Sequence, residues 1–333
     1  MRRREFLRAT ALGAAIGCSM TRPGSALAEP PPETTTVRII DAGAGCLAPQ
    51  MVADDLLKAD GFTAVEYLRI KAGAVGGNKT LSEGGADFMT NEATSFVLDA
   101  DAGLALVVLG GVHTGCYELF GTDRIHSVRD LKGKTVALPN LGRGRQAFVA
   151  SILKNVGLDP HKDVQWVVHP PVEAMRLLAE GKIDAWMGFP PEPQELRAKK
   201  IGHVLVDTKS DRPWSQYFCC MIGGNREFVQ KHPVATKKVV RAILKASELC
   251  ATEPERIARL MVDRGYASNY EYMVQLLKEV RYGRWRDYNP EETMRFYALR
   301  LHEVGFIKAS PQKIIAQSTD WSFINELKKE LKG

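Results

Sequence analysis

Apolar and polar positions set out the same short pattern twice along this chain. TVRIIDAGAG, residues 36–45, is an apolar run ending in small residues, which predicts a β-strand entering a tight turn. APQMVADDLLKADG follows, with Val52, Leu56 and Leu57 on one helical face and Gly61 where a C-terminal cap belongs. The order returns 99 residues later. TVALPNLGRG predicts strand and turn, and QAFVASILKNVG predicts a helix with Phe148, Val149, Ile152, Leu153 and Val156 on its buried face and Gly157 closing it. LSEGGADFM (81–89) and LAEGKIDAW (178–186) then share Leu-x-Glu-Gly-x-x-Asp at an offset of 97. Each predicts a helix end, a glycine cap and a turn into a buried strand. The two offsets agree to within two residues, as in a diverged internal repeat.

Two repeats are too few for a solenoid, and two α/β lobes facing each other fit better. The apolar stretches 105–122 and 214–225 are suited to crossing between them. This places lobe 1 at 36–122 plus 218–333 and lobe 2 at 125–216. From Pro233 the chain is mostly helical, and Asn289-Pro290-Glu291-Glu292 predicts an N-cap, a proline at N1 and a capping-box glutamate. Residues 29–35 form a proline-rich leader.

The stretches DLKGKTVALPNLGRG, GLDPHKDVQWV, LLAEGKIDAWMGFPPE and KHPVATKKVVRAILKA resemble, in order and spacing, the nitrate/sulfonate/taurine-type solute-binding proteins of ABC importers. The resemblance covers residues 36–330. It implies a two-lobed periplasmic-binding-protein fold of type 2, with two mixed sheets flanked by helices and a ligand cleft between the lobes. It also implies delivery of a small-molecule solute to an ABC permease in the inner membrane, without catalysis, by a monomer.

The turn Leu138–Gln146 carries Gly142, Arg143, Gly144 and Arg145. It has neither the Lys-Ser/Thr of a P-loop nor a G-x-G-x-x-G, so a nucleotide is not expected. What remains is a helix N-terminus beside two arginines, which attracts an oxyanion. The family usually has a small hydroxyl residue near this point. The repeat partner of the turn includes Gly45 and Cys46. Thr90, Asn91 and Glu92 end a repeat strand, where open α/β sheets hold ligands. Trp186 and Phe189 offer apolar walls, and His113 lies near the first crossing. These twelve residues are the expected ligand contacts, with no catalytic or metal-ligating set and no cofactor. A ligand-sensing domain and a pyrimidine-precursor binder or synthase on the same fold are the alternatives. The synthase resembles these binders but carries a longer cysteine-rich motif than Cys219-Cys220. Alternation along a strand is expected to point those two cysteines to opposite faces, away from any common site.

Charge narrows the partners. The formal charge is +6, but Arg2, Arg3, Arg4, Arg8 and Arg22 against Glu5 put +4 of it in the first 28 residues. The remaining +2 makes no polyanion-binding surface, so nucleic acid is not a partner. The same 28 residues resemble a twin-arginine export signal: Arg3-Arg4-Glu5-Phe6-Leu7, an apolar stretch, then Ala26-Leu27-Ala28 for cleavage. Ala15-Ile16-Gly17-Cys18 is a competing, lipobox-like cleavage that leaves a lipid anchor on Cys18. A periplasmic location follows in either case. Five cysteines remain after cleavage at Ala28, and an odd number without CxxC spacing argues against both a disulfide framework and a zinc site.

Overall fold

The computed structural model describes residues 29–70 and 77–331. The fold is carried by the unit that begins at Pro31. The export signal and Cys18 lie outside the described residues.

Ten strands among the described residues form two five-stranded mixed sheets. They are β1 Thr36–Asp41, β2 Ala64–Arg69, β3 Phe88–Glu92, β4 Leu106–Thr114, β5 Glu118–Gly121, β6 Lys134–Leu138, β7 Val164–Val168, β8 Ala185–Gly188, β9 His203–Asp207 and β10 Phe218–Asn225. The first sheet runs β2-β1-β3-β10-β4 and the second β7-β6-β8-β5-β9. The first three strands of each order are parallel and the last two are antiparallel to their neighbours, so the two sheets share one topology.

The repeated motif has the same bonds in both lobes. Gly84 and Gly181 hold φ of +75° and +65°, the left-handed conformation that glycine adopts without steric cost. The next residues, Gly85 and Lys182, donate their backbone N–H to the carbonyls of Thr80 and Leu177 at 2.9 Å each. The motif aspartates then reach back to the first strand. Asp87 accepts the backbone N–H of Arg38 at 2.7 Å, and Asp184 accepts that of Thr135 at 3.0 Å. Their own N–H groups return the bond to the carbonyls of Arg38 and Thr135. An aspartate is needed because a short carboxylate satisfies a strand N–H that has no ladder partner.

Two local expectations change. The helix expected over 48–61 is broken into Ala48–Met51 and Asp54–Ala59, with Asp54 and Asp55 supplying an acidic first turn for the second piece. Gly61 closes it at φ +103°. Asn289 does cap the helix Pro290–Glu303, accepting from the N–H groups of Glu291 and Glu292. The Glu292 carboxylate, however, pairs with Arg295 rather than turning back to the cap.

The lobe boundary also moves. Glu118–Gly121 pairs with β8 and β9 in the second sheet, so the first crossing lies at 115–117 and not after residue 122. The return crossing runs from β9 to β10. Thr208 joins the two, donating its N–H and its hydroxyl to the Tyr117 carbonyl at 3.0 and 2.8 Å and accepting the Tyr117 N–H at 3.0 Å. Two crossings bonded side by side make a narrow hinge.

Candidate functional site

A cavity of about 930 Å³ lies between the lobes, above the hinge. Its lobe 1 wall comes from the turn after β1 (Gly43, Ala44), the end of β3 (Asn91, Glu92) and the helix starts at Asn78 and Ser95. Lobe 2 contributes Asn140, Arg143 and Arg145 from the β6 turn and Phe189 and Glu192 from the end of β8. Tyr117, on the hinge itself, completes the lining. The placement follows from the topology: parallel strands of both sheets deliver their carboxyl ends to this space.

The two arginines differ. Arg145 is 11% exposed in its side chain, with Nη1 3.2 Å from Glu192 Oε2 and from the Met187 carbonyl. The rings of Trp186, Phe189 and Tyr117 surround its guanidinium at 5.4, 5.5 and 5.9 Å. The same Glu192 oxygen accepts from Trp186 Nε1 and the Phe189 N–H, each at 3.0 Å. Burial still holds the Glu192 carboxyl above its ordinary range, against the pull of Arg145. Arg143 is 44% exposed and stands 3.7 Å from Asp99, an ion pair without a hydrogen bond. Asp99 in turn accepts from Asn78, and Asn78 accepts from Asn91 at 3.0 Å. A polar chain thus runs from the end of β3 to Arg143 in the opposite lobe. Glu92 accepts the Tyr117 hydroxyl at 3.1 Å, and burial raises its carboxyl despite Arg145 and that bond.

Of the twelve expected contacts, Asn91, Glu92, Arg143, Arg145 and Phe189 line the cavity. The others do not, each for a visible reason. Thr90 lies between Met89 and Asn91, and strand alternation turns it into the core, where its N–H donates to Gln50 Oε1 at 2.7 Å. Gly45 and Cys46 are buried, and their neighbours Ala44 and Leu47 reach the cavity instead. A Cβ on Gly45 would meet Leu276 at 2.8 Å, so that glycine admits the helix Tyr270–Glu279 and not a ligand. Gly142 gives its N–H to Gln146 Oε1 at 2.7 Å, which occupies the donor expected for an anion. Gly144 faces the other lobe, where a Cβ would stand 2.3 Å from Ser95 Oγ and 2.8 Å from Glu92 Oε1. Trp186 is fully buried behind Arg145. Tyr117, Asn78, Asp99 and Glu192 are cavity residues without an expected role in the sequence pattern. Glu192 had a signal, an acid in the first helical turn directly after Phe189-Pro190-Pro191.

His113 belongs to a different place. Beneath the hinge, donor atoms of Cys46, His113, Cys116 and Cys220 all lie within 4.8 Å of one another, and all four residues are buried. Cys219 Sγ is 3.1 Å from Cys116 Sγ. Cys220 belongs to this group of four and Cys219 does not, and β10 shifts register against β4 on both sides of Cys220. Burial pushes the Cys46, Cys219 and Cys220 thiols up. Cys116 is held low despite its own burial, by hydrogen bonds from those three sulfurs and by His113.

Residues 118–262 match the NMT1-like family. The bicarbonate-binding protein CmpA of Synechococcus elongatus is 24% identical over 112 residues, 33% of this chain and only 24% of that protein. Among solved structures, the periplasmic nitrate-binding protein NrtA from Synechocystis PCC 6803 superposes with a TM-score of 0.74 at 15% identity, over 91% of this chain and 90% of that one. The alkanesulfonate-binding protein SsuA from Xanthomonas axonopodis pv. citri, bound to MOPS, gives 0.68 at 15% identity over 87% and 99%. The fold is that of the two-lobed periplasmic binding proteins, and the chain is similar to the solute-binding proteins of ABC importers.

Proposed function

We propose that this chain, a periplasmic-binding-protein fold whose residues 118–262 match the NMT1-like family, is the extracytoplasmic receptor of an ABC importer for a small organic anion. It closes two lobes on the solute and presents it to a permease of the inner membrane, without changing it chemically. The observation that carries this reading is the 930 Å³ cavity between topologically matched lobes, with both arginines of the β6 turn on its wall.

The charges around the cavity refine the solute. Lys79, Arg143 and Arg145 face Glu83, Glu92, Asp99 and Glu192, so the lining is not a general anion trap. Arg145 is committed to Glu192 and Lys79 pairs with Glu83 on its own helix, whereas Arg143, at 3.7 Å from Asp99 without a hydrogen bond, is the arginine with exposed donors to give. A single carboxylate or sulfonate at Arg143 is matched to that supply, and Phe189, Met89 and Leu47 leave room for an apolar body. The hinge of two bonded crossings supplies the rotation, and the twin-arginine-like leader supplies export.

The test is a thermal-shift screen of carboxylates, sulfonates, inorganic oxyanions, amino acids and pyrimidines, followed by mass analysis of the recovered solute. A solute at 100 times its Kd stabilises the folded chain by about 2.7 kcal/mol. The expected hit is an organic anion recovered unchanged, with its shift lost in Arg143→Ala. A hit recovered in altered form overturns the receptor reading, and an anion whose affinity survives Arg143→Ala overturns the assigned contact.

A further inference from the structure

We propose that Cys46, His113, Cys116 and Cys220 form a metal site under the hinge that takes one zinc-class divalent cation. The four ligands come from three pieces of chain: the turn after β1 (Cys46), the end of β4 running into the first crossing (His113 and Cys116) and the start of β10 (Cys220). His113-x-x-Cys116 is the one local pair, and the fold brings Cys46 and Cys220 to it.

The donor set and its dimensions fit. Three thiols and one imidazole are a common closed set for structural zinc. A tetrahedral ion with about 2.3 Å to sulfur and about 2.0 Å to nitrogen sets its ligand atoms roughly 3.5–3.8 Å apart. Here the four donors are already within 4.8 Å of one another, so small side-chain rotations complete the shell. All four residues are at most 1% exposed, which removes water as a competing ligand.

His113 supplies an independent observation. Its Nδ1 is 3.2 Å from the Thr114 carbonyl, a bond in which the ring nitrogen donates. That tautomer leaves a lone pair on Nε2, and Nε2 has no hydrogen-bond partner although the ring is buried. A buried polar nitrogen left unsatisfied is destabilising, because it has given up water for no new partner. An imidazole that donates one N–H to a backbone carbonyl and keeps the other nitrogen free is the arrangement of a metal ligand. Behind it, Tyr282 packs edge-on against the ring at 5.2 Å and donates its hydroxyl to the Cys46 carbonyl at 2.7 Å. Ordinary core packing accounts for buried thiols but not for the orphaned nitrogen.

Binding forms three metal–sulfur bonds and one metal–nitrogen bond, and the three thiol protons leave to solvent. No electron is transferred. The ion would tie the first crossing to both sheet strands beside it and stiffen the base on which the lobes turn.

The full chain is purified under reducing conditions, stripped with a chelator, dialysed against Zn²⁺ alone and assayed for bound metal, with Co²⁺ as a spectroscopic substitute. About one zinc per chain is expected, with tetrahedral thiolate bands for cobalt and a higher melting temperature for the loaded protein. Cys220→Ser and His113→Gln should lose stoichiometric metal, whereas Cys219→Ser and Cys250→Ser should keep it. The wild-type stoichiometry and cobalt spectrum stand without the variants should those fail to fold. Less than about one zinc in ten chains, an octahedral cobalt spectrum, a metal-free chain with Cys116 and Cys219 joined as a disulfide, or folded Cys220→Ser and His113→Gln chains that bind as wild type would each overturn the site.

Discussion

Thr94 donates its hydroxyl to the carbonyl of Gly144 at 3.2 Å and so ties the helix after β3 to the helix that opens the second lobe. Gly144 permits that approach because it has no side chain: a Cβ would stand 2.3 Å from Ser95 Oγ. Gly144→Ala should therefore hold the lobes apart. The helix itself should gain slightly from alanine, so the isolated stability of the fold changes little. Affinity for the solute should fall about tenfold, equivalent to about 1.4 kcal/mol of lost closure. Titration calorimetry together with small-angle scattering of the liganded protein checks it. An unchanged affinity and an unchanged radius would mean that Ser95 simply rotates away.

Arg145 and Glu192 form a buried pair in which each is the other's only opposite charge at hydrogen-bond distance among the described residues. Removing one partner of such a pair leaves an uncompensated charge, at a cost of about 3–5 kcal/mol. Arg145→Met should destabilise the chain by that order at pH 7, and by less at lower pH, where Glu192 takes up a proton. The double variant Arg145→Met/Glu192→Leu should be more stable than Arg145→Met alone. Urea unfolding of the set measures this. Additive losses would show that the pair is braced by the aromatic rings and not by its charges.

How far the sequence reached is clearest at these positions. The repeat was legible because its Leu-x-Glu-Gly-x-x-Asp turn has a local job, a glycine cap and an aspartate on a strand N–H, repeated bond for bond. The cleft arginines were legible because a turn opening a helix can be seen in one stretch of chain. Thr90 was misplaced by a single residue of strand register, which moves a side chain from cavity to core. The role of Gly144 was hidden because its close neighbours, Ser95 and Glu92, lie on the other lobe. Cys46, His113, Cys116 and Cys220 span 175 residues and converge only through sheet order and a bulge in β10. Spacing rules for metal sites look for two short ligand pairs, and here only His113 and Cys116 form one, while Cys46 and Cys220 arrive singly from distant segments.

Glu92 should make stability fall as pH rises. Its carboxyl is held above the ordinary 4.5 by burial, with Arg145 and the Tyr117 hydroxyl opposing and Cys116 adding slightly. Between the unfolded and folded values the folded chain carries more protons, so its stabilisation is complete below the ordinary value and is lost as pH passes the raised one. Glu192 and Asp99 act in the same direction, while exposed acids such as Glu33 run the other way. The readout is therefore a difference between proteins. Glu92→Gln keeps an acceptor for Tyr117 and cannot ionise. It should be more stable than wild type above neutrality, with the gap closing toward pH 4. Denaturant midpoints across that range test it, and parallel curves would mean that Glu92 does not titrate in the folded chain.

Gly115 begins the first crossing, and its φ of +36° lies where side chains are strained. A Cβ there would meet the Thr208 carbonyl oxygen at 2.2 Å, its carbon at 2.4 Å and the Lys209 Cα at 2.6 Å, all of them backbone atoms of the return crossing. No rotamer relieves that clash, so the two crossings must separate and give up the Thr208–Tyr117 bonds that hold them together. Gly133 provides the comparison: its φ is +73°, and nothing lies within 4 Å of its added Cβ. Gly133→Ala should lose only the left-handed backbone term, about 1 kcal/mol. Gly115→Ala should lose that and about 2–3 kcal/mol more for the displaced backbone and broken bonds. Urea midpoints of the two variants decide it. Equal losses would show that the crossings part freely at this point, and the hinge would then have to be sought elsewhere along the two chains.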